Sequence, residues 1–272
     1  MRSQIILFHF LTALLAALCL SQSTMADVPF SEVADLPYRA PDQTIRYGSK
    51  PLQIAEYWQS NKDGPLLFLV HGGCWLNAYD RSHIRPLAAA IADHGIAVLS
   101  VEYRRIGDSG GGWPGSFDDL RAALKEATTL DHRGIYLAGH SAGGHMALWL
   151  ASSRQAQIKG VIGLAAISDL HLYAAGKSGC EKATVQLMGG TPEDFPDRYT
   201  AASPLLLGTK TATLLIHGDH DRIVNTAQST HFSETYPDTT LRLLPGKGHF
   251  DLVDPRQEVA EIIAEQIRLW QH

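Results

Sequence analysis

Short apolar runs alternate along the chain with longer segments in which apolar residues recur at helical spacing. The run Leu66–Val70 is apolar throughout, as expected for a strand that is covered on both faces of its sheet. This alternation predicts an α/β fold with a mostly parallel central sheet and helices on both faces. The expected strands are Leu52–Trp58, Leu66–Val70, Ile96–Tyr103, Ile135–Ala138, Val161–Ala166, Thr213–Ile216 and Thr240–Leu244. The expected helices are Ile84–His94, Phe117–Leu130, Gly144–Ser153, Thr226–Tyr236 and Pro255–Trp270.

The segment 168–210 breaks this rhythm because glycines and prolines are frequent in it. We expect it to form a cap-like insertion of loops and short helices. Residues 27–272 are otherwise expected to form one domain, since single cores stop growing at roughly 250–300 residues.

The first 26 residues predict a secretory signal peptide. Arg2 is the only charged residue before Asp27, and Ile5–Leu20 is nearly all apolar. Small residues precede the expected cleavage site after Ala26. A retained membrane anchor is the alternative, but the apolar run is short for a span of about 20 residues. We therefore expect a periplasmic or secreted protein with no stable membrane association after cleavage.

Charge and residue spacing argue against several other classes of protein. The chain has 23 Lys and Arg against 28 Asp and Glu, a net charge of −5, without a basic run that would indicate a nucleic-acid partner. The histidines are scattered and the cysteines lack the spacing of a zinc site. No G-x-G-x-x-G motif follows a strand, so neither a metal nor a nucleotide cofactor is expected.

The main chemical signal is Gly139-His140-Ser141-Ala142-Gly143, placed between a predicted strand and a predicted helix. A serine hydroxyl becomes a good nucleophile only when it lies beside a base and beside donors for an oxyanion. A sharp strand–turn–helix bend exposes the hydroxyl, and the flanking glycines avoid collisions within the bend. Ser141 is therefore the predicted nucleophile.

A second motif, His71-Gly72-Gly73-Cys74-Trp75, directly follows the strand Leu66–Val70. Adjacent glycines allow backbone N–H groups to approach a substrate closely. We expect the N–H groups of Gly73 and Ala142 to form an oxyanion hole, with Cys74 as a further donor. His71 is expected to be a structural residue that holds this loop. Trp75 is expected either to line the acyl pocket and bind substrate or to lie in the core.

The acid and the base should follow the serine in this order along the chain. Asp221 and Asp219 both follow the strand Thr213–Ile216, and we favour Asp221 because Asp219 is better placed to bond the backbone of its own loop. Asp169 is a reserve acid whose structural role would be to cap the insertion. His249, after the strand Thr240–Leu244, is the predicted base.

Two cysteines, Cys74 and Cys180, remain after the expected cleavage. In an oxidising compartment they can pair if the fold brings them together, and the bond would then clamp the insertion over the site. The alternative is that both are buried thiols packed as small hydrophobic residues.

These motifs resemble those of a known group of proteins. His71-Gly72-Gly73-Cys74-Trp75 resembles the H-G-G-x-W signature of the kynurenine formamidase branch and of related esterase-like α/β hydrolases. The G-x-S-x-G around Ser141 matches the same group, as do Gly218–Val224 and Gly248–Phe250. The similarity runs from about Leu66 to the C-terminus and extends to bifunctional feruloyl and acetyl-xylan esterases. It implies an α/β-hydrolase fold and a serine mechanism.

The combined pattern predicts an exported serine hydrolase that cleaves small or aryl carboxylic esters through an acyl-enzyme on Ser141. An arylformamidase, acting on formamides of the N-formylkynurenine type, is the alternative within enzymes. Formamidases of tryptophan degradation work inside cells, so expected export favours an ester substrate. A non-catalytic binding protein on the same fold is the alternative from another class.

Overall fold

A computed structural model of the chain describes residues 27–60, 64–153 and 157–272. The predicted signal peptide, residues 1–26, lies outside the described residues. Within the described ranges, every helix is too short or too polar to cross a membrane.

Eight strands form one sheet in the order β1-β2-β4-β3-β5-β6-β7-β8. Strand β2 is antiparallel to both of its neighbours, and the remaining pairs from β4 to β8 are parallel. The predicted mostly parallel sheet is thereby confirmed. The strands are β1 Gln43–Arg46, β2 Ile54–Trp58, β3 Leu66–Val70, β4 Ala97–Val101, β5 Ile135–His140, β6 Ile158–Leu164, β7 Ala212–Gly218 and β8 Thr239–Leu244.

Helices cover the sheet and also form the segment that interrupts the strand–helix alternation. They are α1 Phe30–Ala34, α2 Arg85–Asp93, α3 Gly115–Ala127, α4 Ala142–Ser152, α5 Leu170–Ala174, α6 Gly179–Met188, α7 Pro196–Ala202, α8 Pro204–Leu207, α9 Ala227–Thr235 and α10 Val259–Leu269. Short 3₁₀ helices span Arg81–Ile84 and Phe250–Val253.

Alternate residues of β3 point into two separate cores, one on each face of the sheet. Leu66, Phe68 and Val70 pack with residues of α3, α4 and α9, whereas Leu67 and Leu69 pack with residues of α2 and α10. All five side chains are fully buried. Each contributes about 2 kcal/mol of hydrophobic stabilisation. The continuous apolar run therefore reflects a central strand that is covered on both faces.

The segment 168–210 holds the four helices α5 to α8, so it is more regular than its composition indicates. A capping box begins α6: Ser178 accepts from the N–H of Glu181, and Glu181 accepts from the N–H of Ser178. Gly189, with φ of 81°, ends the helix in the left-handed region. Local capping thus gives this segment defined helices although it contains many helix breakers.

The parallel strands β3, β5, β7 and β8 end at one edge of the sheet, because parallel strands share their direction. Ligand sites of open α/β sheets lie outside this carboxyl edge. The loops that leave it carry the residues that the sequence singles out.

Candidate active site

Ser141 lies at the turn between β5 and α4, in a backbone conformation that is rare for a residue with a side chain. Its φ of 57° and ψ of −119° place it outside the ordinary helix and strand regions. A Cβ atom on Gly139 would lie 2.1 Å from the carbonyl oxygen of Gly143, and one on Gly143 would lie 2.2 Å from that of Val70. The flanking glycines are therefore required by the close approach of three backbone segments.

Asp221 and His249 lie in direct contact. The distance from Nδ1 of His249 to Oδ2 of Asp221 is 2.6 Å. Since a carboxylate only accepts, Nδ1–H of His249 donates and its Nε2 keeps a lone pair that can take up a proton. The side chain of Asp221 is fully buried and that of His249 is nearly so.

The carboxylate of Asp221 is held by further donors. Its Oδ1 accepts from the backbone N–H groups of Ile223 at 2.8 Å and Val224 at 2.9 Å. Burial acts to raise the pKa of Asp221, but hydrogen bonds from His217 and His249 outweigh it and hold that pKa far below its usual range. Asp221 is consequently ionised at neutral pH.

His217, at the end of β7, is a part of the site that the sequence motifs do not assign. It is fully buried, and its Nε2 lies 3.3 Å from Oδ2 of Asp221. The same nitrogen lies 3.0 Å from the carbonyl oxygen of Val224, and Nδ1 lies 2.8 Å from Oγ of Ser229. Its position directly before Gly218, at the carboxyl end of a predicted strand, was the available signal.

The two competing aspartates are engaged elsewhere. Oδ1 of Asp219 accepts from the N–H of Gly246 at 2.7 Å, so Asp219 bonds loop backbone as the sequence suggests. Asp169 caps α5 by accepting from the N–H groups of His171 and Leu172. Neither carboxylate contacts His249 in the described structure.

Ser141 and His249 open onto one cavity of about 280 Å³. Phe250 packs edge-on against His249, with ring centroids 5.1 Å apart, and Phe30 packs on Phe250 at 5.5 Å. The lining residues are Phe30, Gly73, Cys74, Tyr79, His140, Ser141, Cys180, Ile223, His249 and Phe250. Among these described residues the lining carries no Lys, Arg, Asp or Glu, so the cavity suits an uncharged group.

The loop after β3 contributes Gly73 and Cys74 to the lining of this cavity. Gly73 has φ of 100°, and Cys74 and Trp75 follow with φ of 53° and 59°. In the part of the chain that the structure describes, the N–H groups of Gly73 and Cys74 donate to no protein acceptor. Ala142 begins α4, where the N–H groups lack acceptors within the helix. Among the described residues, the N–H groups predicted to form an oxyanion hole are thus not used in other backbone hydrogen bonds.

His71 holds this loop in place, in the structural role expected from the sequence. Its Nε2 lies 2.9 Å from Oε1 of Glu102, and its ring stacks on Tyr103 with centroids 4.6 Å apart. Burial opposes the charge on Glu102, but the interaction with His71 and the charge of Arg105 lower its pKa to about 2. The loop is anchored by buried contacts to the residues that directly follow β4.

The structure corrects the interpretation of Trp75 as a substrate-binding residue. Trp75 is fully buried and does not line the cavity. Its Nε1–H donates to Nδ1 of His145 at 3.2 Å, and Nε2 of His145 lies 2.9 Å from the carbonyl oxygen of Ala202. Trp75 therefore joins the loop after β3 to α4, and His145 in turn joins α4 to α7.

The structure joins Cys74 and Cys180 in a disulfide, with Cα atoms 5.0 Å apart. Cys74 belongs to the loop after β3, and Cys180 belongs to α6 of the insertion. Both line the cavity. The bond therefore fixes the insertion beside Ser141, as the pairing hypothesis expects.

His140 also contacts both the backbone and the ring of His249. Its Nε2–H donates to the carbonyl oxygen of His249 at 3.0 Å, and the two rings lie 4.4 Å apart. Burial and the proximity of His249 lower the pKa of His140 well below its usual value. His140 is therefore neutral at physiological pH.

Comparison with known families agrees with this geometry. The sequence matches the BD-FAE family over residues 52–236, which is more than half of the chain. The chain belongs to the BD-FAE family. It is an esterase of the α/β-hydrolase type and acts on carboxylic esters.

Solved structures share the fold at low sequence identity. A truncated carbohydrate esterase from gut microbiota is 18% identical with a TM-score of 0.68, covering 85% of this chain and 99% of its own. Esterase B from Lactobacillus rhamnosis is 20% identical with a TM-score of 0.70, covering 86% and 87%. Carboxyl esterase 2 from the fungus Tuber melanosporum is 17% identical with a TM-score of 0.66, covering 80% and 81%. No curated protein matches the sequence.

Proposed function

We propose that this BD-FAE esterase is exported and hydrolyses small or aryl carboxylic esters through an acyl-enzyme on Ser141. The observation that carries the proposal is the contact of 2.6 Å between His249 and Asp221 at a cavity that also contains Ser141. Asp221 orients the ring of His249, and the free Nε2 of that ring serves as the base.

The reaction proceeds in two halves. His249 takes the proton of Ser141 as Oγ attacks the ester carbonyl, and the developing oxyanion accepts from the N–H groups of Gly73, Ala142 and Cys74. His249 then gives its proton to the departing alcohol, which leaves an acyl group on Ser141. A water deprotonated by His249 attacks this acyl group, the bond from the acyl carbon to Oγ breaks, and His249 returns the proton to Ser141 as the acid leaves. Each backbone donor lowers the barrier by roughly 3 kcal/mol.

The cavity supports the choice of substrate class. Its volume of about 280 Å³ suits a small acyl or single aryl group. Phe30, Tyr79 and Phe250 supply an aromatic lining, and Tyr79 packs on Phe30 with centroids 5.4 Å apart. An ester whose acyl group carries a charge would find no oppositely charged side chain of Lys, Arg, Asp or Glu in the lining.

Export rests on two independent features. Residues 1–26 have the pattern of a cleaved signal peptide. The disulfide between Cys74 and Cys180 suits an oxidising compartment, because cytosolic reductants keep such thiols apart. N-terminal sequencing of the protein recovered outside the cytoplasm should begin at Asp27, and a start at Met1 would contradict cleavage.

The decisive experiment replaces Ser141 by alanine. Ser141→Ala should lower kcat for p-nitrophenyl acetate by roughly a million-fold and prevent labelling by a fluorophosphonate. Ser152→Ala, at the other end of α4, is the matched control and should keep both properties. Turnover by Ser141→Ala at the wild-type rate would refute the serine mechanism, and absence of turnover by the wild type would favour a binding protein.

An arylformamidase is the second candidate, because the loop His71–Trp75 has the H-G-G-x-W form shared with kynurenine formamidases. The two functions share the nucleophile but differ in the leaving group, which is an amine for the formamide. Purified enzyme should hydrolyse a panel of acetyl and aryl esters faster than N-formylkynurenine. Faster hydrolysis of the formamide would reverse this assignment.

A further inference from the structure

The carboxylate of Asp221 accepts three hydrogen bonds and faces a fourth polar group. Oδ1 takes the backbone N–H groups of Ile223 and Val224. Oδ2 takes Nδ1–H of His249 at 2.6 Å and faces Nε2 of His217 at 3.3 Å. A carboxylate has about four lone-pair positions, so these four neighbours match the acceptor capacity of Asp221. Two of these neighbours belong to the loop of Asp221 itself, and the third is His249. The fourth, His217, belongs to β7.

The surroundings of His217 decide which of its nitrogens carries a proton. Its Nε2 faces two groups that only accept, the carbonyl oxygen of Val224 and the carboxylate of Asp221. Nε2 must therefore carry the hydrogen, shared between both acceptors. Nδ1 faces the hydroxyl of Ser229 at 2.8 Å, which can donate to it. The neutral Nε2–H form of His217 thus satisfies every contact in its buried position.

We infer that His217 is a positioning residue for the acid–base pair, which holds Oδ2 of Asp221 between two imidazoles. This inference rests on the proposed catalytic roles of Asp221 and His249. His217 is fully buried and absent from the cavity lining, so it acts on the reaction only through Asp221. Its bond to the carbonyl of Val224 also fixes the turn that supplies the two backbone donors of Oδ1.

The contact has an electrostatic consequence for His249. The donor from His217 stabilises the charge on Oδ2 and so weakens the attraction between Asp221 and a protonated His249. Without that donor, the charge on Oδ2 of Asp221 is less dispersed and attracts a protonated His249 more strongly. His249 acts as a base only in its neutral form. The loss of ester hydrolysis on the acidic limb of the pH–rate profile would therefore begin at a higher pH.

Other titratable groups around this pair keep their neutral forms. Burial lowers the pKa of His140, whose ring lies 4.4 Å from that of His249. Burial, reinforced by the charges of Glu181 and Asp221, raises the pKa of the Tyr173 hydroxyl far above neutral pH. His140 and Tyr173 therefore keep the same charge near neutral pH.

The test uses two substitutions at His217 and the same two at an exposed histidine of the loop that follows β7. His217→Phe keeps a ring without a donor, and His217→Gln restores an N–H near the position of Nε2. We expect His217→Phe to lower kcat for p-nitrophenyl acetate by about 10- to 100-fold, with KM little changed. The acidic limb of the pH–rate profile of His217→Phe should move up by about half to one pH unit. His217→Gln should recover most of the wild-type kcat and most of the wild-type position of this limb. His220→Phe and His220→Gln are the controls, because the side chain of His220 is 60% exposed.

A purely structural role makes a different prediction. It would lower the thermal stability of His217→Phe without moving the acid limb, and that result would overturn the inference. The wild-type enzyme offers a check that needs no variant, since ¹⁵N NMR should show His217 as the neutral Nε2–H tautomer. An Nδ1–H tautomer would also overturn it. Loss of activity in Ser141→Ala with an unchanged profile in His217→Phe would leave the serine mechanism standing and reject only the role of His217.

Discussion

Nδ1 of His249 lies 2.6 Å from Oδ2 of Asp221, although 28 residues separate them in the chain. Asp219, which is only two residues before Asp221, bonds the N–H of Gly246 instead. Two aspartates of one loop therefore have different partners, and exchange of each for asparagine separates their roles.

Asp221→Asn should lower kcat for an aryl ester by about 10⁴-fold, because an amide at this position favours the wrong tautomer of His249. Asp219→Asn removes one acceptor at an exposed turn and should change kcat by less than about three-fold. Steady-state hydrolysis of p-nitrophenyl acetate measures both. Equal losses in the two variants would contradict the assignment of Asp221 as the acid.

The glycines of the serine turn allow a second prediction. A Cβ on Gly143 would lie 2.2 Å from the carbonyl oxygen of Val70 and 2.4 Å from that of His71, so backbone must move. Gly143→Ala should lower the free energy of unfolding by about 3 kcal/mol and abolish fluorophosphonate labelling.

Gly179→Ala is the matched control for Gly143→Ala. A Cβ on Gly179 meets no atom within 4 Å. Alanine at this first position of α6 should leave labelling unchanged and raise stability by up to about 1 kcal/mol. Urea unfolding compares the two variants, and equal stability would show that the turn has room for a side chain.

The disulfide between Cys74 and Cys180 should stabilise the protein strongly, because 106 residues separate its ends. The double variant Cys74→Ala/Cys180→Ala should lose about 3–5 kcal/mol of unfolding free energy. Dithiothreitol should lower the melting temperature of the wild type and leave that of the double variant unchanged. Two free thiols in the exported wild type, detected by mass after alkylation, would argue against the bond.

Glu102 should make the free energy of unfolding depend on pH in the acidic range. Its pKa of about 2 in the fold lies below the ordinary value of 4.5, so its stabilising effect is complete above pH 4.5 and is lost as the pH falls towards 2. Glu102→Gln leaves Arg81 and Arg105 without this carboxylate and should cost about 3 kcal/mol at pH 7.

The difference in stability between wild type and Glu102→Gln should therefore narrow from pH 5 to pH 3. Urea unfolding at pH 7, 5 and 3 measures it. Glu261→Gln changes an exposed carboxylate of α10 and is the control. A constant difference across this range would show that Glu102 is not a charged partner of His71 and the two arginines.

Much of the fold could be predicted because central strands are buried on both faces. Leu66–Val70 has the same bounds in the pattern and in the structure. Strand β1 could not be predicted, since it lies at the edge of the sheet and its residues are exposed or half-buried. The early helix α1 is only five residues long, which is too short to show a helical period.

Some residues of the candidate site could be predicted from the sequence and others could not. Ser141, Asp221 and His249 follow strands that end at one edge, so chain order and local motifs were enough to select them. Phe30 reaches the site only through tertiary packing, whereas His217 lies just four residues before Asp221 but belongs to no motif that assigns it a role. Trp75 has the motif position of a ligand contact, but the backbone turn that sends it into the core depends on conformations with positive φ that its residue type does not signal.

The disulfide also changes the connectivity of the molecule. It closes residues 74–180 into a covalent ring that contains Ser141, while Asp221 and His249 lie on the tail that follows the ring. A protease that cuts one peptide bond inside the ring opens it but releases no fragment. A cut between residues 181 and 220 separates the nucleophile from its acid and base. The ring thus divides the chain into a part where a single nick is retained and a part where it splits the catalytic residues between two polypeptides.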